Sequence, residues 1–297
     1  MSTGRVTVVV ATRNRRPGLC RTLEHLAALP EQPPIVVVDN GSSDGTADSV
    51  RRAFPRVEVV ELRRNLGAHA RNHGVRRAGT PYVALSDDDS WWEPGALARA
   101  VTVLDTSPQV GVIAGATVVG EAAEPDPINA VLAASPLRQG LLPGPRVLGF
   151  LGCAAVARRD AFLAAGGYSR LLCIGGEEEL LAYDLAALGW PIIYRPDVMV
   201  HHWPSAARDA RRRRTQELRN HALIGWLRRP MAHALADTAG LATAAWRQRD
   251  PVAARALGET LLGLPRALPR RRRLPAPAEA DIRLLENTRV SEPVGAH

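Results

Sequence analysis

The chain of 297 residues contains no lysine, few aromatic residues and no long apolar run. Its 38 basic residues are all arginine, a bias that we attribute, together with the abundant alanine, to a GC-rich genome. Because no apolar run reaches about 18 residues, the sequence predicts no membrane-spanning helix. The first residues lead into a strand near Arg5 without a signal-peptide core, so we expect a cytoplasmic protein, with or without peripheral contact to the inner membrane face.

Cysteine is scarce as well. Cys20, Cys153 and Cys173 are odd in number and do not have the spacing of metal ligands. We therefore expect buried thiols in a reducing compartment.

The net charge of +8 is unevenly distributed along the chain. Much of it lies after residue 205, in arginine runs at residues 211–214 and 270–273. Such runs are typical of proteins that bind nucleic acid, an anionic membrane surface or a phosphorylated substrate, and equally of a solvated basic face. No motif of an RNA- or DNA-binding module accompanies them, so we expect no nucleic-acid partner.

Apolar, β-branched runs alternate with helical patterns through the first half of the chain. Runs typical of buried strands lie at residues 6–11, 35–38, 57–62, 82–85 and 110–119. Patterns typical of helices lie at residues 17–28, 46–53, 68–78, 160–165 and 177–188. This alternation predicts the α/β class, with a mainly parallel sheet flanked by helices and with ligands at the carboxyl ends of the strands.

The second half of the chain is less regular. Residues 120–146 are rich in proline, alanine and glycine without a clear period, so we expect a mobile loop there. Shorter strand patterns follow at residues 147–157, 192–194 and 198–200. Beyond His202 the pattern changes to amphipathic helices, and we place a boundary near residue 206. Two apolar stripes mark these helices, first Leu218, Ala222 and Trp226, then Leu257, Leu261 and Leu264.

Three consecutive carboxylates, Asp87, Asp88 and Asp89, follow the apolar strand pattern at residues 82–85. Like charges at this spacing raise one another's pKa, and a divalent cation relieves the repulsion. Carboxylate oxygens are the ligands that Mg²⁺ and Mn²⁺ prefer. The segment also fits a solvated loop before a capped helix, because Asp89 and Ser90 are favourable N-cap residues.

Asp39 ends the valine-rich strand pattern at residues 35–38 and precedes a turn that contains two glycines. A well-formed strand-to-helix turn explains residues 43–46. It does not explain a carboxylate at the very end of a buried strand. Such a group can accept a hydrogen bond from a base N–H or a sugar hydroxyl.

With Thr12 and Asn14 at the end of the first strand pattern, these residues complete a resemblance to a known family. The chain resembles the family 2 glycosyltransferases of the GT-A fold, in the form common in actinobacterial genomes. Five segments match in the family's order, at residues 6–15, 35–46, 65–72, 85–89 and 166–187. Each motif is weakly specific alone, but all five in order are strongly specific.

The resemblance implies the following division of the chain. Residues 1–205 would form a GT-A catalytic domain, with a nucleotide-sugar half at about residues 1–119 and an acceptor half at about residues 147–205. Residues 206–297 would form a helical, arginine-rich C-terminal extension.

The resemblance also assigns a pocket for the nucleotide. It implies that Thr12, Asn14 and Asp39 line the site for the base and ribose. Arg71 would lie near the base or the phosphates, although an exposed helix arginine is equally common at such a position.

A metal site is implied by the same resemblance, with Mg²⁺ or Mn²⁺ as the cofactor. Asp87 and Asp89 match the two acids of the family's DxD pair, and Asp88 is the ambiguous middle residue. In that pattern the last aspartate binds the metal that bridges the two phosphates, whereas the first contacts the ribose or a metal-bound water. Relatives often have a histidine near the metal or diphosphate, here His201 or His202, and the sequence does not decide between them.

The general base is implied to lie in the acidic run after Gly176. Many relatives have Glu-Asp at this helix start, whereas this chain has only glutamates, so the register is open. We favour Glu178, with Glu177 next. Acids at this place also stabilise a helix N-terminus through its dipole, by about 0.3–1 kcal/mol. Trp91 and Trp92 fit either a wall of the substrate site or the core.

These assignments predict transfer of a sugar from a UDP-, GDP- or dTDP-linked donor to a hydroxyl acceptor, on a lipid-linked molecule or a glycan, with inversion implied by the resemblance. Two alternatives come from other classes. A non-catalytic relative would bind the nucleotide sugar without transfer, although acids are present at both sites. A nucleotidyltransferase usually has a phosphate loop rich in glycine and lysine, and this chain has no lysine.

Overall fold

The protein is a mixed sheet covered by helices, and the computed structural model describes residues 4–204 and 210–291, without the side chains of residues 289–291. The strands are β1 (Val6–Thr12), β2 (Ile35–Asp39), β3 (Glu58–Glu61), β4 (Tyr82–Asp87), β5 (Ser90–Trp92), β6 (Val112–Val119), β7 (Glu124–Pro125), β8 (Arg146–Val147), β9 (Ala155–Arg158) and β10 (Ile192–His202). The helices are α1 (Arg16–Ala27), α2 (Thr46–Ala53), α3 (Arg71–Arg77), α4 (Ala96–Thr106), α5 (Ile128–Ala133), α6 (Arg159–Ala164), α7 (Glu177–Ala187), α8 (Ala210–Arg228), α9 (Met231–Arg247), α10 (Pro251–Ala267) and α11 (Ala276–Ser291).

The strands pair in the order β3-β2-β1-β4-β9-β6-β10-β5, with β7 on β6 and β8 on β10. Strand β1 lies parallel to β2 and β4, whereas β9 is antiparallel to both β4 and β6. In this register Thr12 is opposite Asp39, and Ala11 is opposite Asp87. The carboxyl ends of three strands therefore meet at one edge. The predicted α/β class is confirmed.

Both faces of the sheet are apolar, which explains the unbroken valine run of β1. Val8 and Val10 lie in a core cluster with Leu19 and Leu23 of α1. Val9 points to the other face and joins a second cluster. Because side chains alternate across a strand, a strand covered on both faces has apolar residues at every position.

Several elements differ from the sequence predictions. The segment at residues 120–146 contains β7, α5 and the start of β8 instead of an unbroken loop. Asn129 fixes it to β6, because its amide both accepts from Thr117 N at 3.0 Å and donates to Thr117 O at 2.8 Å. The single strand predicted at residues 147–157 is divided, because its ends belong to β8 and β9 and residues 148–154 between them form a loop. The two strands predicted at 192–194 and 198–200 are one strand, β10, with a bulge between Arg195 and Met199.

Helices α8, α10 and α11 pack against α7 through a shared apolar cluster. Leu180 of α7 and Leu172 lie in it with Leu223 and Leu227 of α8. Arg228 of α8 adds an ion pair with Asp184 of α7, with Nη2 at 2.9 Å from Oδ2. The apolar stripes predicted here are thus largely covered by neighbouring helices. The predicted boundary between residues 205 and 206 lies outside the described residues.

None of the described helices is both long enough and apolar enough to cross a membrane.

Candidate active site

The acid turn between β4 and β5 brings Asp87, Asp88 and Asp89 to the carboxyl edge of the sheet. Ser90 closes this turn, since its hydroxyl accepts from Asp87 N at 2.8 Å. The three acids have different surroundings. Asp88 and Asp89 are buried, whereas the side chain of Asp87 is about a third exposed.

Asp88 faces β1 and α1. It accepts a hydrogen bond from Thr12 Oγ1 at 2.8 Å, and Arg15 Nε lies 3.3 Å from its other oxygen. Burial raises the pKa of Asp88 to about 6, although Arg15 and Thr12 favour its charged form. The middle acid therefore connects the turn to β1, and the hydroxyl of Thr12 is used within the protein.

Asp87, Asp89 and His202 form a cluster with potential metal ligands. One oxygen or nitrogen atom from each lies within 4.8 Å of the others. His202 ends β10, which is paired with β5, so the sheet itself places the histidine beside the acid turn. Its Nε2 is 3.5 Å from Asp89 Oδ1.

The residues of this cluster fit a divalent cation. His202 Nε2 is buried and has no hydrogen-bond partner within the described residues. Two carboxylates and one imidazole are a donor set that binds Mn²⁺, and Mg²⁺ accepts the carboxylates readily. Asp87 and Asp89 also have cationic neighbours, because Arg71 pairs with Asp87 and Arg15 Nη2 lies 3.0 Å from Asp89.

His201 lies on the opposite face of β10 from His202. Its ring stacks on Trp91 with a centroid distance of 5.9 Å, and Trp91 stacks in turn on His25 at 4.1 Å. The structure therefore brings His202 to the acids and leaves His201 outside the cluster. Trp92 is fully buried in the core, and neither tryptophan is among the residues that line the cleft described below.

Arg71, at the start of α3, is the cation closest to Asp87. It forms an ion pair with that carboxylate, and its guanidinium carbon lies 5.8 Å from the ring centre of Tyr168. Burial disfavours its charge, but the carboxylates of Asp87, Glu178 and Glu177 outweigh burial and raise the pKa of Arg71. The site thus contains a permanent positive charge.

Glu177 and Glu178 form the first turn of α7. Gly175 and Gly176 precede them with φ values of 90° and 85°, a conformation that favours glycine. Burial raises the pKa of both carboxyls, and the nearby Glu177 raises the pKa of Glu178 further. Glu177 Oε2 is buried and has no hydrogen-bond partner within the described residues. A carboxyl with a raised pKa is a better proton acceptor than an ordinary glutamate.

Gly152, in the loop between β8 and β9, makes room for Glu178. A Cβ atom at this position would overlap Glu178 Oε1 and would lie 3.4 Å from Tyr168 Oη. Tyr168 is fully buried, and its hydroxyl has no partner within the described residues. Neither Gly152 nor Tyr168 was predicted, because no local signal in the sequence distinguishes them.

The expected nucleotide pocket lies where β1 and β2 end. Asp39 Oδ1 accepts from Ser42 N at 3.0 Å, and Asn14 Oδ1 accepts from Ser43 N at 2.8 Å. Asn14 adopts a left-handed φ of 53°, which asparagine tolerates better than most residues. Asp39 therefore stabilises the turn after β2 from within, and Asn14 holds that turn against the end of β1.

Asn40 is a further residue of this pocket that the sequence analysis missed. Its amide donates to Gly67 O at 3.0 Å and accepts from Leu66 N at 2.7 Å. It thereby fixes the segment before α3 to the end of β2. The Asn-Gly pair in the turn motif was the available signal.

A cleft of about 890 Å³ joins these groups. Its lining includes Thr12, Arg71, Asp87, Glu178 and His202, and it continues to Arg212 and Gln216 on α8. Asp39 and Asn14 are not part of this lining, whereas Asn40 is. A second cleft of about 670 Å³ lies near residues 138–148 and 186–192 and contains none of the predicted site residues.

Comparison with known proteins gives the same family as the motifs. A model of "Glycosyl transferase family 2" matches residues 7–164, more than half of the chain. An N-acetylglucosaminyl-diphospho-decaprenol L-rhamnosyltransferase of Mycobacterium tuberculosis is 27% identical over 276 residues, which cover 79% of this chain and 90% of that protein. The uncharacterized glycosyltransferase YwdF of Bacillus subtilis is 28% identical over 35% of this chain and only 39% of its own length.

Solved structures share the fold. The mannosyltransferase PcManGT from Pyrobaculum calidifontis, in complex with GDP-Man and Mn²⁺, has a TM-score of 0.60 at 23% identity, covering 97% of this chain and 81% of that one. TarS 1-349 of S. aureus, in complex with UDP-GlcNAc, has a TM-score of 0.58 at 17% identity, covering 96% and 87%. The chain therefore belongs to glycosyl transferase family 2 and is an enzyme of the GT-A fold.

Proposed function

We propose that this glycosyltransferase moves a sugar from a nucleoside-diphosphate donor to a hydroxyl acceptor, with inversion and with the help of Mg²⁺ or Mn²⁺. The observation that carries the proposal is a single cleft lined by Asp87, His202 and Glu178. It combines ligands for a cation with a carboxyl group whose pKa is raised.

Each group has a defined part in this reaction. Asp87, Asp89 and His202 would hold the cation, which when bound offsets negative charge on the leaving diphosphate. Glu178 takes the proton of the acceptor hydroxyl as this oxygen forms a bond to the anomeric carbon and the diphosphate oxygen departs. Inversion follows if base and leaving group lie on opposite sides of the sugar.

The charged neighbours support these roles. Arg71 pairs with Asp87. If Asp87 binds the metal ion instead, the guanidinium of Arg71 is positioned to contact the donor phosphates. Asn40 and Asp39 hold the ends of β2 and its turn, where the base and ribose would bind. Glu177 stays next to Glu178, and its negative charge keeps the neighbouring carboxyl basic.

The substrates follow from the comparisons only as a class. The solved structures contain GDP-Man or UDP-GlcNAc, and the mycobacterial relative is named for a decaprenol-linked diphosphate acceptor. We propose a nucleoside-diphosphate sugar as donor and a hydroxyl on a lipid-linked or glycan acceptor. The donor nucleotide is UDP, GDP or dTDP in this proposal, and the proposal covers any sugar linked to it.

The test starts with a screen of nucleotide sugars by thermal shift, with Mn²⁺ present. Transfer from the best donor is then measured for the wild type, Glu178→Gln and the matched control Glu179→Gln. Glu179 lies in the same helical turn but accepts a hydrogen bond from Tyr183 Oη at 2.9 Å, so its variant should transfer normally.

Glu178→Gln should bind donor yet lose transfer by about a hundredfold or more, because an amide cannot accept the proton. Excess EDTA should remove transfer by the wild type. Normal transfer by Glu178→Gln together with loss of transfer in Glu177→Gln would mean that Glu177, and not Glu178, is the general base. Donor binding without any transfer by the wild type, across the acceptors tried, would favour a non-catalytic relative.

A further inference from the structure

Helix α9 has an outer face without charge. Every exposed position between residues 231 and 246 is apolar or uncharged, and Leu235 and Trp246 are 54% and 86% exposed. The ionisable residues of this stretch, His233 and Asp237, are half-buried, and His233 Nε2 lies 3.4 Å from Asp237 Oδ2. An amphipathic helix normally places its apolar side inward, so an outer face of this kind indicates a binding surface.

Helix α10 packs beside α9 and also carries exposed leucines. Leu261 and Leu262 are 51% and 75% exposed, although Leu257 and Leu264 of the same helix pack inward. Ala254, Gly258 and Pro265 are also exposed on this side, and the exposed Arg255 lies on it two turns before Leu262. We call the outer residues Leu235, Trp246, Leu261 and Leu262 the α9–α10 face.

Positive charge borders the α9–α10 face. Arg247 and Arg249 follow Trp246 directly and are exposed, as is Arg266 beside Leu262. The acids nearby are engaged: Asp250 caps α10 by accepting from Val252 N at 2.8 Å, and Glu259 pairs with Arg255 at 3.0 Å. An apolar helix face with an arginine border and a tryptophan at its edge is the composition of helices that lie on anionic bilayers.

The turn between α9 and α10 lies close to the residues of α8 that line the active-site cleft. Asp250 in the turn lies 3.9 Å from Arg214 near the start of α8. Arg212 and Arg213, the two residues before Arg214, line the active-site cleft. A surface that holds the turn against a bilayer would therefore bring the mouth of the cleft near the lipid headgroups.

We propose that the α9–α10 face docks this protein on the surface of an anionic phospholipid bilayer. Leu235, Leu262 and Trp246 enter the boundary between headgroups and acyl chains, while Arg247, Arg249 and Arg266 contact lipid phosphates. A second copy of the chain is a weaker occupant, because its arginine border would repel this one. Docking fits a lipid-linked acceptor but does not depend on transfer, so it can be tested without either substrate.

The test is flotation of the full chain with vesicles of phosphatidylglycerol and phosphatidylcholine in equal amounts. The face variant carries Leu235→Gln, Trp246→Gln and Leu262→Gln. Its matched control carries Val131→Gln, Leu141→Gln and Leu188→Gln, which are 54%, 100% and 53% exposed and lie outside α8–α11. All six positions are exposed, so thermal unfolding should verify that both variants stay folded.

The wild type and the control should float with anionic vesicles, and the face variant should partition about tenfold more weakly or worse. Added salt, pure phosphatidylcholine, or Arg247→Gln with Arg249→Gln should each weaken binding, whereas Arg52→Gln with Arg56→Gln should not. No flotation at low salt overturns the proposal. Equal vesicle binding by the face variant and the wild type also overturns it. A third contrary result would be a wild type that is dimeric, a face variant that is monomeric, and no vesicle binding by either.

Discussion

Glu178 is the side chain whose chemistry depends most on its surroundings. Burial and the Glu177 carboxylate raise its pKa, and the transfer proposed above would require its deprotonated form. Transfer should therefore be lost as the pH falls through the raised pKa, well above the ordinary glutamate value of about 4.3. The pH profile of kcat/KM measures this acid limb.

Glu177→Gln provides the control for that profile. It removes one of the charges that raise the pKa of Glu178, so the acid limb should move to lower pH while transfer persists. An unmoved limb would mean that another group limits the reaction at low pH. In the wild type, transfer should increase with pH over this range, whereas the free energy of unfolding should decrease. A buried acid with a raised pKa destabilises the fold as the pH rises toward that pKa.

Gly152 gives a second prediction, on geometry instead of charge. In Gly152→Ala the new Cβ would displace Glu178 Oε1, so kcat should fall about tenfold or more with little change in donor binding. Gly149→Ala is the matched control in the same loop and should transfer normally, because a Cβ atom there would have no other atom within 4 Å. Equal kcat in both variants would contradict a positioned Glu178.

Individual site residues differed in how well the sequence indicated them. The acids were visible because carboxylates after an apolar strand are unusual. Their partners were not visible. Thr12 and Asp88 are 76 residues apart and meet through the register of β1 and β4, whereas Arg71 and Asp87 are 16 residues apart and meet because α3 packs on the sheet. The choice between His201 and His202 likewise depends on which face of β10 each one occupies.

Among the elements, the segment before α7 depends most on a single contact from another helix. Asn220 of α8 is fully buried and donates to Leu172 O at 2.8 Å and Ile174 O at 3.0 Å, and it also contacts Gly175 O. Leu172 is itself buried, and an unpaired buried acceptor costs about 1–3 kcal/mol. The helix that carries Glu177 and Glu178 therefore starts from a position that α8 sets.

Asn220→Ala should lower the free energy of unfolding by about 2–4 kcal/mol, measured by urea denaturation. Transfer should fall as well, since the start of α7 loses its anchor. Gln248→Ala, at the exposed end of α9, is the control and should change stability by less than about 0.5 kcal/mol. A stability loss below about 1 kcal/mol in Asn220→Ala, near the worth of one ordinary hydrogen bond, would show that this contact is not an anchor.

Elements were predictable where one periodic pattern decided them. The strands and helices predicted in the first half agree with the structure to within a few residues, because apolar strands alternate there with helical stripes, whereas β5 and α4 were not among them. Helix α5 was missed, since six residues cannot show a period. Pro265 lies inside α10 near its end, and the helix continues through it to Ala267 with the loss of at most one backbone hydrogen bond.

At the level of the whole molecule, α8–α11 and the catalytic part share a core. Leu172 and Leu180 lie in one cluster with Leu223, Leu227 and Ile282, so removing the helices would expose apolar surface of the catalytic part. The sequence indicated the amphipathic helices but not their arrangement, because an apolar stripe does not reveal which surface will cover it. Point variants are therefore better suited than deletion to test what these helices do, because deletion would expose the shared apolar core.

Arg229 connects the ends of this assembly. It is buried directly after α8, and its guanidinium donates to Glu279 at 2.8 Å and to Glu286 at 2.6 Å, which joins the end of α8 to α11. Hydrogen bonds from Arg229 hold the pKa of Glu286 below its ordinary value, and they do the same for Glu279 even though burial opposes them. Carboxyls with lowered pKa values stabilise the fold above the unfolded-state pKa, and this stability is lost as the pH falls through the folded-state pKa.

Arg229→Met should therefore cost about 3–5 kcal/mol near neutral pH, because it leaves two carboxylates beside an apolar side chain. The difference from wild type should shrink in acid, where both glutamates become protonated, and urea unfolding at several pH values measures it. Arg255→Met breaks the exposed pair with Glu259 and is the control, with an expected change within about 1 kcal/mol. An Arg229→Met loss that is small, or that does not vary with pH, would mean that apolar packing alone holds α11 in place.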